Sequence, residues 1–390
     1  MSKLEKFLRS RFAAALFAVL VGFVISAVVL AVAGYDPIAS FAALFNGSFG
    51  KPKYISNVII KATPILLTGV SVAFAFKTGL FNIGAEGQYI LGTTLATMVG
   101  VTLNLPMPFQ LPLVLLAGIV GGAALGAFVG WLKAKFGIHE VITSIMCNWI
   151  AFYFCNFIVN TKTFHKPDSS SALPVNPSSY TTILGTWKKS EAGKEFLKGI
   201  PWLREILLKT DINAGFAVAI LVAVIIGFVL TRTKLGYELR AVGFNRDAAR
   251  FSGIPVERNI VLSMLIAGAI SGLAGALTIT GIAPHTISLL AAMESYGFNG
   301  MSVAFIAGCS PIGCIPASIM FSALIYGGMS VQQSLGAPSD IINIMIGTIV
   351  FCTALPGITP VLADLVHKKR EERDDARTTK NGTPLPEKEA

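Results

Sequence analysis

The sequence is poor in charge. Only 13% of its 390 residues are Asp, Glu, Lys or Arg, whereas 53% are hydrophobic, and the mean hydropathy is +0.68. A soluble globular protein carries about 25% charged residues, so this composition excludes an ordinary soluble enzyme or binding domain. Apolar stretches of about 20 residues recur along the chain, and each is long enough to cross a hydrocarbon layer of about 30 Å. We therefore predict an all-α polytopic membrane protein.

Motifs for catalysis and metal binding are also missing from the sequence. The chain has four histidines without an HExxH arrangement, and its five cysteines lack CxxC spacing. The GxxxxGK[ST] phosphate loop of ATPases is absent, because Gly50-Lys51 and Gly193-Lys194 do not have its spacing. We therefore expect no catalytic residue, no metal site, no cofactor and no ATP hydrolysis by this chain. The cysteines are expected to be buried free thiols.

The hydropathy pattern predicts ten membrane spans. They cover residues 12–33, 58–76, 79–99, 111–132, 141–160, 213–231, 259–281, 297–309, 311–328 and 340–360. The net charge of +10 comes from Lys and Arg at the ends of these spans, which is typical of topology signals at an anionic membrane face and argues against nucleic-acid binding. Because the basic connections alternate along the chain, both termini are expected in the cytoplasm. The span 297–309 is short enough to be a half-helix.

The segments between and beyond these spans define the predicted domains. Residues 1–11 form a basic cytoplasmic N-terminus that leads into a retained first span, and residues 12–362 form the transmembrane domain. An extracytoplasmic insert is predicted at 161–212, although it carries eight Lys or Arg, and within it 188–209 forms an amphipathic helix interrupted at Pro201. Residues 363–390 have mixed charge and no aromatic residue, which predicts a disordered cytoplasmic tail.

A basic, helix-prone segment lies at 232–258, between two long apolar spans. It has six Lys or Arg against three Asp or Glu, a helix-forming core at 247–250, and a Gly253-Ile254-Pro255 stop. Charge alone indicates an ordinary cytoplasmic loop. A short exposed helix in such a loop would also suit docking to a soluble partner that drives movement in the membrane.

Polar residues open the third predicted span. Asn82, Glu86 and Gln88 lie among three glycines, and polar groups at membrane depth are costly unless each has a partner. Two interpretations stay open at this point: a helix-packing hinge, or a lining of the substrate pathway. For Glu86 the sequence offers Lys61 or Lys77 as a partner and does not decide between them.

A second polar group opens the fifth predicted span. Thr143, Ser144 and Asn148 are close in the sequence, and Ser144 and Asn148 share one helix face. Such a face either lines a polar pathway or forms hydrogen bonds to a neighbouring helix. Asn299, in GFNG at 297–300, loosely resembles FNIG at 81–84, which allows an inverted repeat of the two halves.

These segments together resemble one family, the permease subunits of ATP-binding cassette importers. The resemblance is to the branch shared by branched-chain amino acid, ribose and nucleoside systems, and most of all to its nucleoside, or simple-sugar-type, members. It rests on LRAVGFN at 239–245, AAR at 248–250, GI at 253–254, GLFNIGAEGQ at 79–88, EVITSIMCN at 140–148 and NGMSVAFIAG at 299–308. Cys147 departs from the aliphatic residue that the family usually has there, and the Cys309-Ser310 junction also departs.

The resemblance implies a type II-like importer permease that works by alternating access in the bacterial cytoplasmic (inner) membrane. It implies three protein partners: a cytoplasmic ATPase that binds the ATP, a second permease subunit, and an extracytoplasmic substrate-binding lipoprotein, with membrane lipid around the spans. The segment at 241–253 would act as a rigid lever that docks on the ATPase. The residues that would couple to it are Arg240, Gly243, Asn245, Asp247, Ala248, Arg250 and Gly253.

The resemblance also implies a nucleoside as substrate. Its pathway would be lined by Asn82, Glu86, Gln88, Thr143, Ser144, Asn148 and Asn299, whose amides, hydroxyls and carboxylate suit a polar, uncharged solute. Simple sugars such as ribose, or branched-chain amino acids, are alternative substrates within the same family. An ion-coupled secondary transporter that uses Glu86 as its coupling carboxylate, and a membrane scaffold without transport activity, are alternatives from other classes.

Overall fold

A computed structural model describes residues 11–185 and 187–354, so the predictions for the extreme N-terminus and for the tail at 363–390 lie outside the described residues. The described part of the chain is helical and contains no β-strand, only three isolated β-bridges. The helices are α1 (Arg11–Val32), α2 (Pro37–Phe49), α3 (Pro52–Lys77), α4 (Ala85–Thr102), α5 (Met107–Phe136), α6 (Glu140–Val159), α7 (Glu191–Lys198), α8 (Pro201–Lys209), α9 (Gly215–Arg232), α10 (Lys234–Phe244), α11 (Arg246–Phe251), α12 (Val256–Gly281), α13 (Tyr296–Ile306), α14 (Cys314–Leu335) and α15 (Ser339–Ala354).

The chain forms two compact units. Among the described residues, the smaller combines 11–41 with 332–354, and the larger is Ala42–Val331. In the smaller unit α1 packs against α15: the Ser26 hydroxyl donates to the Met345 carbonyl at 3.1 Å, and Gly22 lies against the Ile349 backbone. The functional residues predicted from the sequence all belong to the larger unit.

Helices α5 and α12 meet along a seam of glycines, which we call the glycine seam: Gly118, Gly122 and Gly126 of α5 with Gly268 and Gly272 of α12. A Cβ atom on Gly122 would lie only 2.1 Å from the Gly268 carbonyl oxygen. Small residues at such spacing allow two membrane helices to approach backbone to backbone. The seam therefore fixes α5 and α12 against each other by contact of their backbones.

Helix α3 is the buried centre of the larger unit. All but its ends are inaccessible to water, and it continues through Pro64. Its hydroxyl side chains reach two neighbouring helices: Ser71 donates to the Ala267 carbonyl at 2.6 Å, and Thr68 donates to the Tyr296 carbonyl at 2.9 Å. Helix α3 thereby connects α12 with the start of α13.

Six helices of the described chain, α3, α5, α6, α9, α12 and α14, are long and apolar enough to cross a membrane. Shorter apolar helical stretches occur at Val19–Val32 and Ser339–Cys352. Each of the ten predicted spans overlaps a helix, the last of them as far as residue 354, beyond which the residues are not described. The total of ten membrane crossings stays a prediction, as does the inverted repeat.

Three details of the helices differ from the sequence predictions. The span at 79–99 begins too early, because Gly79 has a φ of +70° and the helix starts only at Ala85. The lever at 241–253 is two helices, α10 and α11, separated at Asn245, whose backbone is extended. Helix α2 was not predicted.

Two other details agree with the sequence. Helix α13 has 11 residues and at about 1.5 Å per residue it is too short to cross the hydrocarbon layer alone. It ends at a tight turn formed by Gly308 and Cys309, which have φ values of +59° and +54°. The amphipathic segment near 188–209 forms α7 and α8, with the break at Pro201.

The insert at 161–212 and the segment at 232–258 lie at opposite ends of α12. Backbone N–H groups of Val175 and Thr181 donate to the carbonyls of His285 and Thr280, at the C-terminal end of α12. The basic segment instead leads directly into the N-terminus of α12 at Val256. A helix of 26 residues is about 39 Å long, which is enough to separate two faces of a membrane.

Candidate functional site

Glu86 joins the start of α4 to the start of α13. Its carboxylate accepts hydrogen bonds from the backbone N–H of Ser295 at 2.7 Å and from that of Gly297 at 2.6 Å. The side chain is fully buried. A carboxylate at a helix N-terminus satisfies N–H groups that have no partner in the helix and interacts favourably with the helix dipole. The sequence allowed Lys61 or Lys77 as its partner; the structure gives it backbone N–H groups of α13 instead.

Asn82 and Gln88 pair with each other through both atoms of their amides. Asn82 Nδ2 donates to Gln88 Oε1 at 2.9 Å, and Gln88 Nε2 donates to Asn82 Oδ1 at 3.1 Å. Asn82 also donates to the Ser71 hydroxyl at 3.2 Å. Both side chains are fully buried. The pair closes the irregular segment at 79–84 against the first turn of α4.

Asn148 holds the same turn from α6. Its Oδ1 accepts a hydrogen bond from Gly87 N–H at 2.8 Å, and its Nδ2 donates to the Ile83 carbonyl at 3.1 Å. Gly87 has no room for a side chain, because a Cβ atom there would lie 2.7 Å from Asn148. We call the buried set Asn82, Glu86, Gln88 and Asn148, with the backbone they bind, the polar junction.

The other predicted pathway residues lie around this junction. Ser144 is fully buried beside Gly84, and its hydroxyl has no hydrogen-bond partner among the described residues. Thr143 lies at the edge and donates to the His139 carbonyl at 3.3 Å. Asn299 is half-buried on α13, one turn after Ser295. In this conformation the junction residues position backbone segments, and their contact with substrate stays a prediction.

The predicted coupling residues lie on an exposed pair of short helices. Asn245 caps α11, since its side chain accepts a hydrogen bond from Ala248 N–H at 3.0 Å, and Gly253 ends the segment with a φ of +76°. Arg250 forms an ion pair with Glu257 at the start of α12. All seven predicted coupling residues are exposed to solvent: Arg240, Gly243, Asn245, Asp247, Ala248, Arg250 and Gly253.

Two phenylalanines protrude from this segment. The side chains of Phe244 and Phe251 are 94% and 96% exposed. Fully exposed aromatic side chains are a feature of surfaces that bind another protein, where they supply most of the apolar contact. We call Phe244, Phe251 and the exposed residues of α11 the docking surface.

Gly243 links the docking surface to the polar junction. A Cβ atom at this position would lie 2.2 Å from the Lys77 carbonyl oxygen, so the end of α10 touches the turn that follows α3. That turn continues into residues 80–88. A displacement of α10 and α11 would therefore push directly on the segment that the junction residues hold.

Sequence reasoning missed four residues that the structure brings into this region. Glu140 pairs with Lys133 and accepts from Phe81 N–H at 3.4 Å. Asn156 binds the Leu290 backbone, while Tyr89 and Glu294 lie near the start of α13. Glu140 opens the motif at 140–148 but was not predicted as a site residue, and the other three follow no repeating pattern that would distinguish them.

The described residues contain no group of His, Cys, Asp and Glu side chains that could hold a metal ion. The five cysteines, Cys147, Cys155, Cys309, Cys314 and Cys352, are buried thiols.

Comparison with known proteins gives the family. The family described as "Branched-chain amino acid transport system / permease component" matches residues 54–354, which is most of the chain and includes the junction and the docking surface. The chain belongs to this permease family. It is therefore a subunit for transport across a membrane.

Curated relatives cover nearly the whole permease. It is 35% identical to the guanosine ABC transporter permease NupP of Bacillus subtilis, over 87% of this chain and 92% of the relative. It is 33% identical to the nucleoside ABC transporter permease NupB of Lactococcus lactis, over 89% of this chain and 92% of the relative. A glucose ABC transporter permease of Haloferax volcanii, TsgB13, is 30% identical over 84% of this chain and 83% of the relative.

Proposed function

We propose that this chain is the permease subunit of an ATP-driven importer of nucleosides. The observation behind the proposal is its similarity, over nearly its full length, to permeases for guanosine and for nucleosides. The permease provides the path through the membrane, and a separate ATPase chain supplies the energy and binds the ATP.

The geometry of Glu86 supports ATP-driven rather than ion-coupled transport. In an ion-coupled transporter that used Glu86, this carboxylate would have to bind and release the ion. Both oxygens of Glu86 accept hydrogen bonds from backbone N–H groups, and the side chain has no access to solvent. Release of this carboxylate would leave two donors at the start of α13 without a partner, which is costly in a buried site.

The docking surface supports a cytoplasmic ATPase as the partner. It has protruding aromatic side chains and a short capped helix, and Gly243 connects it directly to the backbone at Lys77. In the proposed cycle the ATPase moves α10 and α11, the turn at 77–79 follows, and the polar junction passes the movement to α13. A second permease subunit and an extracytoplasmic binding lipoprotein complete the complex in the bacterial cytoplasmic membrane.

Uptake by the reconstituted complex tests the proposed function. Proteoliposomes with this permease, its companion permease, the ATPase and the binding protein are loaded with ATP and given labelled guanosine, inosine, ribose, glucose or leucine. We expect uptake of the nucleosides only, and none with an ATPase variant unable to hydrolyse ATP. Uptake of glucose or ribose without competition by nucleosides would show that the substrate is a sugar, in agreement with the similarity to TsgB13.

Capture of the ATPase tests the docking surface. Arg250→Glu reverses a charge of α11, and a Phe244→Ala/Phe251→Ala double variant removes the protruding aromatic side chains. We expect both to insert normally but to retain less ATPase on affinity resin and to lose uptake. Phe157→Ala, which removes an exposed aromatic side chain from the end of α6 remote from α11, is the matched control. Full retention of the ATPase by both variants would contradict the docking role.

Reporter fusions test the orientation. Reporters placed after Asn176 and after Asn245 should report opposite sides of the membrane, with Asn245 in the cytoplasm. If both report the cytoplasm, the proposed orientation of the insert is wrong.

A further inference from the structure

An accessible carboxylate, Glu294, lies in the short segment between two fixed points of the backbone. On one side, the Asn156 amide accepts from Leu290 N–H at 2.8 Å and donates to the Leu290 carbonyl at 3.0 Å. On the other side, Glu86 binds the N–H groups of Ser295 and Gly297. The position of Glu294 is therefore set from both ends.

The backbone next to Glu294 adopts an uncommon conformation. Ser295 has a φ of +67°, in the left-handed region that residues with a side chain rarely occupy. Such strained conformations persist where the surrounding contacts enforce them, often at binding sites. Here the Glu86 carboxylate enforces it, and the turn places Glu294 at the start of α13.

Two tyrosines lie beside the Glu294 carboxylate. The Tyr89 and Tyr296 rings have centroids 5.1 Å apart, and both interact electrostatically with Glu294. The Tyr89 side chain is fully buried, and its hydroxyl makes no hydrogen bond of acceptable geometry with any described residue, although Thr278 and Glu294 are adjacent. Buried hydroxyls are nearly always paired, so the Tyr89 hydroxyl has the capacity for a further hydrogen bond.

Glu294 itself has no counter-charge. Its side chain is accessible to water although protein surrounds it on most sides, and none of the ion pairs between described residues includes it. A carboxylate has about four acceptor positions, and Tyr89 can occupy at most one of them.

We propose that Glu294 determines substrate specificity by accepting two adjacent hydrogen bonds from an uncharged nucleoside, with the Tyr89 hydroxyl as a third polar contact and the Tyr296 ring as an apolar wall. This inference rests on the proposed nucleoside import. Two parts of guanosine carry suitable donors: the N1–H and amino group of the base, and the 2′- and 3′-hydroxyls of the ribose. Either pair matches the two oxygens of one carboxylate.

Uptake kinetics with three ligands test the proposal in the complete complex. The ligands are guanosine, 2′,3′-dideoxyguanosine, which lacks the ribose diol, and purine riboside, which lacks the donors of the base edge. Glu294→Gln keeps the size of the side chain but replaces one acceptor oxygen with a donor. We expect it to raise the KM for guanosine by about 10- to 100-fold. One of the two analogues lacks the donors that Glu294 recognises. We expect Glu294→Gln to change the KM for that analogue little, and this result identifies whether the base edge or the ribose diol binds Glu294.

Two further variants separate recognition from a structural role. If Glu294 serves only as a hydrogen-bond partner of Tyr89, Glu294→Gln should not raise the KM for guanosine in a Tyr89→Phe background. We expect it to raise the KM in that background as well. Glu191→Gln changes an exposed carboxylate of α7 and serves as the control with unchanged KM. An equal effect of Glu294→Gln on all three ligands, or rescue by Tyr89→Phe, would overturn the recognition role while nucleoside import stands. Absence of guanosine uptake by the unmodified complex would overturn both.

Discussion

The glycine seam and the polar junction are both buried, but different chemistry holds each of them. At the seam, α5 and α12 touch through backbone atoms, with Gly122 and Gly272 leaving no space for a side chain. At the junction, the Glu86 carboxylate joins α4 to α13, and the Asn148 amide joins α6 to the first turn of α4. Close backbone packing has few alternative arrangements, whereas a hydrogen-bonded set of side chains can move together with the segments that it holds. We therefore expect the seam to stay fixed during transport and the junction to move with its hydrogen bonds kept.

The largest expected effect follows from filling the seam. Gly122→Leu would place a Cβ atom 2.1 Å from the Gly268 carbonyl and 2.7 Å from the Gly272 Cα atom. Because backbone atoms cannot move aside as a side chain can, we expect a cost above the roughly 1–3 kcal/mol of ordinary overpacking. The expected result is loss of most folded permease, measured by size-exclusion chromatography in detergent.

Gly347→Leu is the matched control for the seam. Gly347 is also in a helix, α15, but it is exposed, and no atom of the described residues lies within 4 Å of a Cβ built there. We expect a normal yield of this variant. A normal yield of Gly122→Leu as well would show that α5 and α12 are not in backbone contact.

The next effect concerns Glu86 at the junction. Glu86→Gln keeps the size of the side chain but loses the charge and replaces one of the two acceptor oxygens with a donor, so one N–H group at the start of α13 loses its partner. Hydrogen bonds to charged groups contribute about 1.5–3 kcal/mol, which predicts a 10- to 100-fold decrease in uptake with folded protein still present. Normal uptake would contradict the role of Glu86 in positioning α13.

The sequence indicated the polar side chains of the junction, but not the backbone groups that they bind. The clustering of Asn82, Glu86 and Gln88 in seven residues indicated a polar site, and the motif at 140–148 supplied Asn148. Their partners are mostly backbone groups, as at Ser295, which lies 209 residues from Glu86. A backbone N–H has no sequence signature, so the sequence could not identify these partners.

The seam and the lone polar residues show two other limits. Glycines recur every four residues in α5, yet the hydropathy pattern identified only a membrane span there. Glu294 and Asn156 stand alone in their segments, and only the fold brings them to the start of α13. By contrast, α7, α8 and the short α13 were predicted, because local helix signals and Pro201 determine their limits.

A smaller effect is expected from the amide pair. Asn82→Leu leaves the buried Gln88 amide without partners, at a cost of about 1–3 kcal/mol. In the double variant Asn82→Leu/Gln88→Met both polar groups are removed, so we expect the melting temperature to recover part of the loss. Thermal unfolding of the purified single and double variants measures this coupling. Additive losses would show that the two amides do not act as a pair.

The smallest effect is expected at Ser144, which the sequence placed in the pathway. Its hydroxyl is buried without a partner, next to Gly84, so the native protein already bears the cost of its desolvation. Ser144→Ala removes that cost and should leave the permease as stable as before, or more stable by about 1 kcal/mol. Uptake should change by less than about twofold, the difference that 0.4 kcal/mol makes. A large loss of uptake without loss of stability would mean that the hydroxyl turns toward the substrate in another state of the cycle, and the junction would then line the pathway as well as transmit movement beside it.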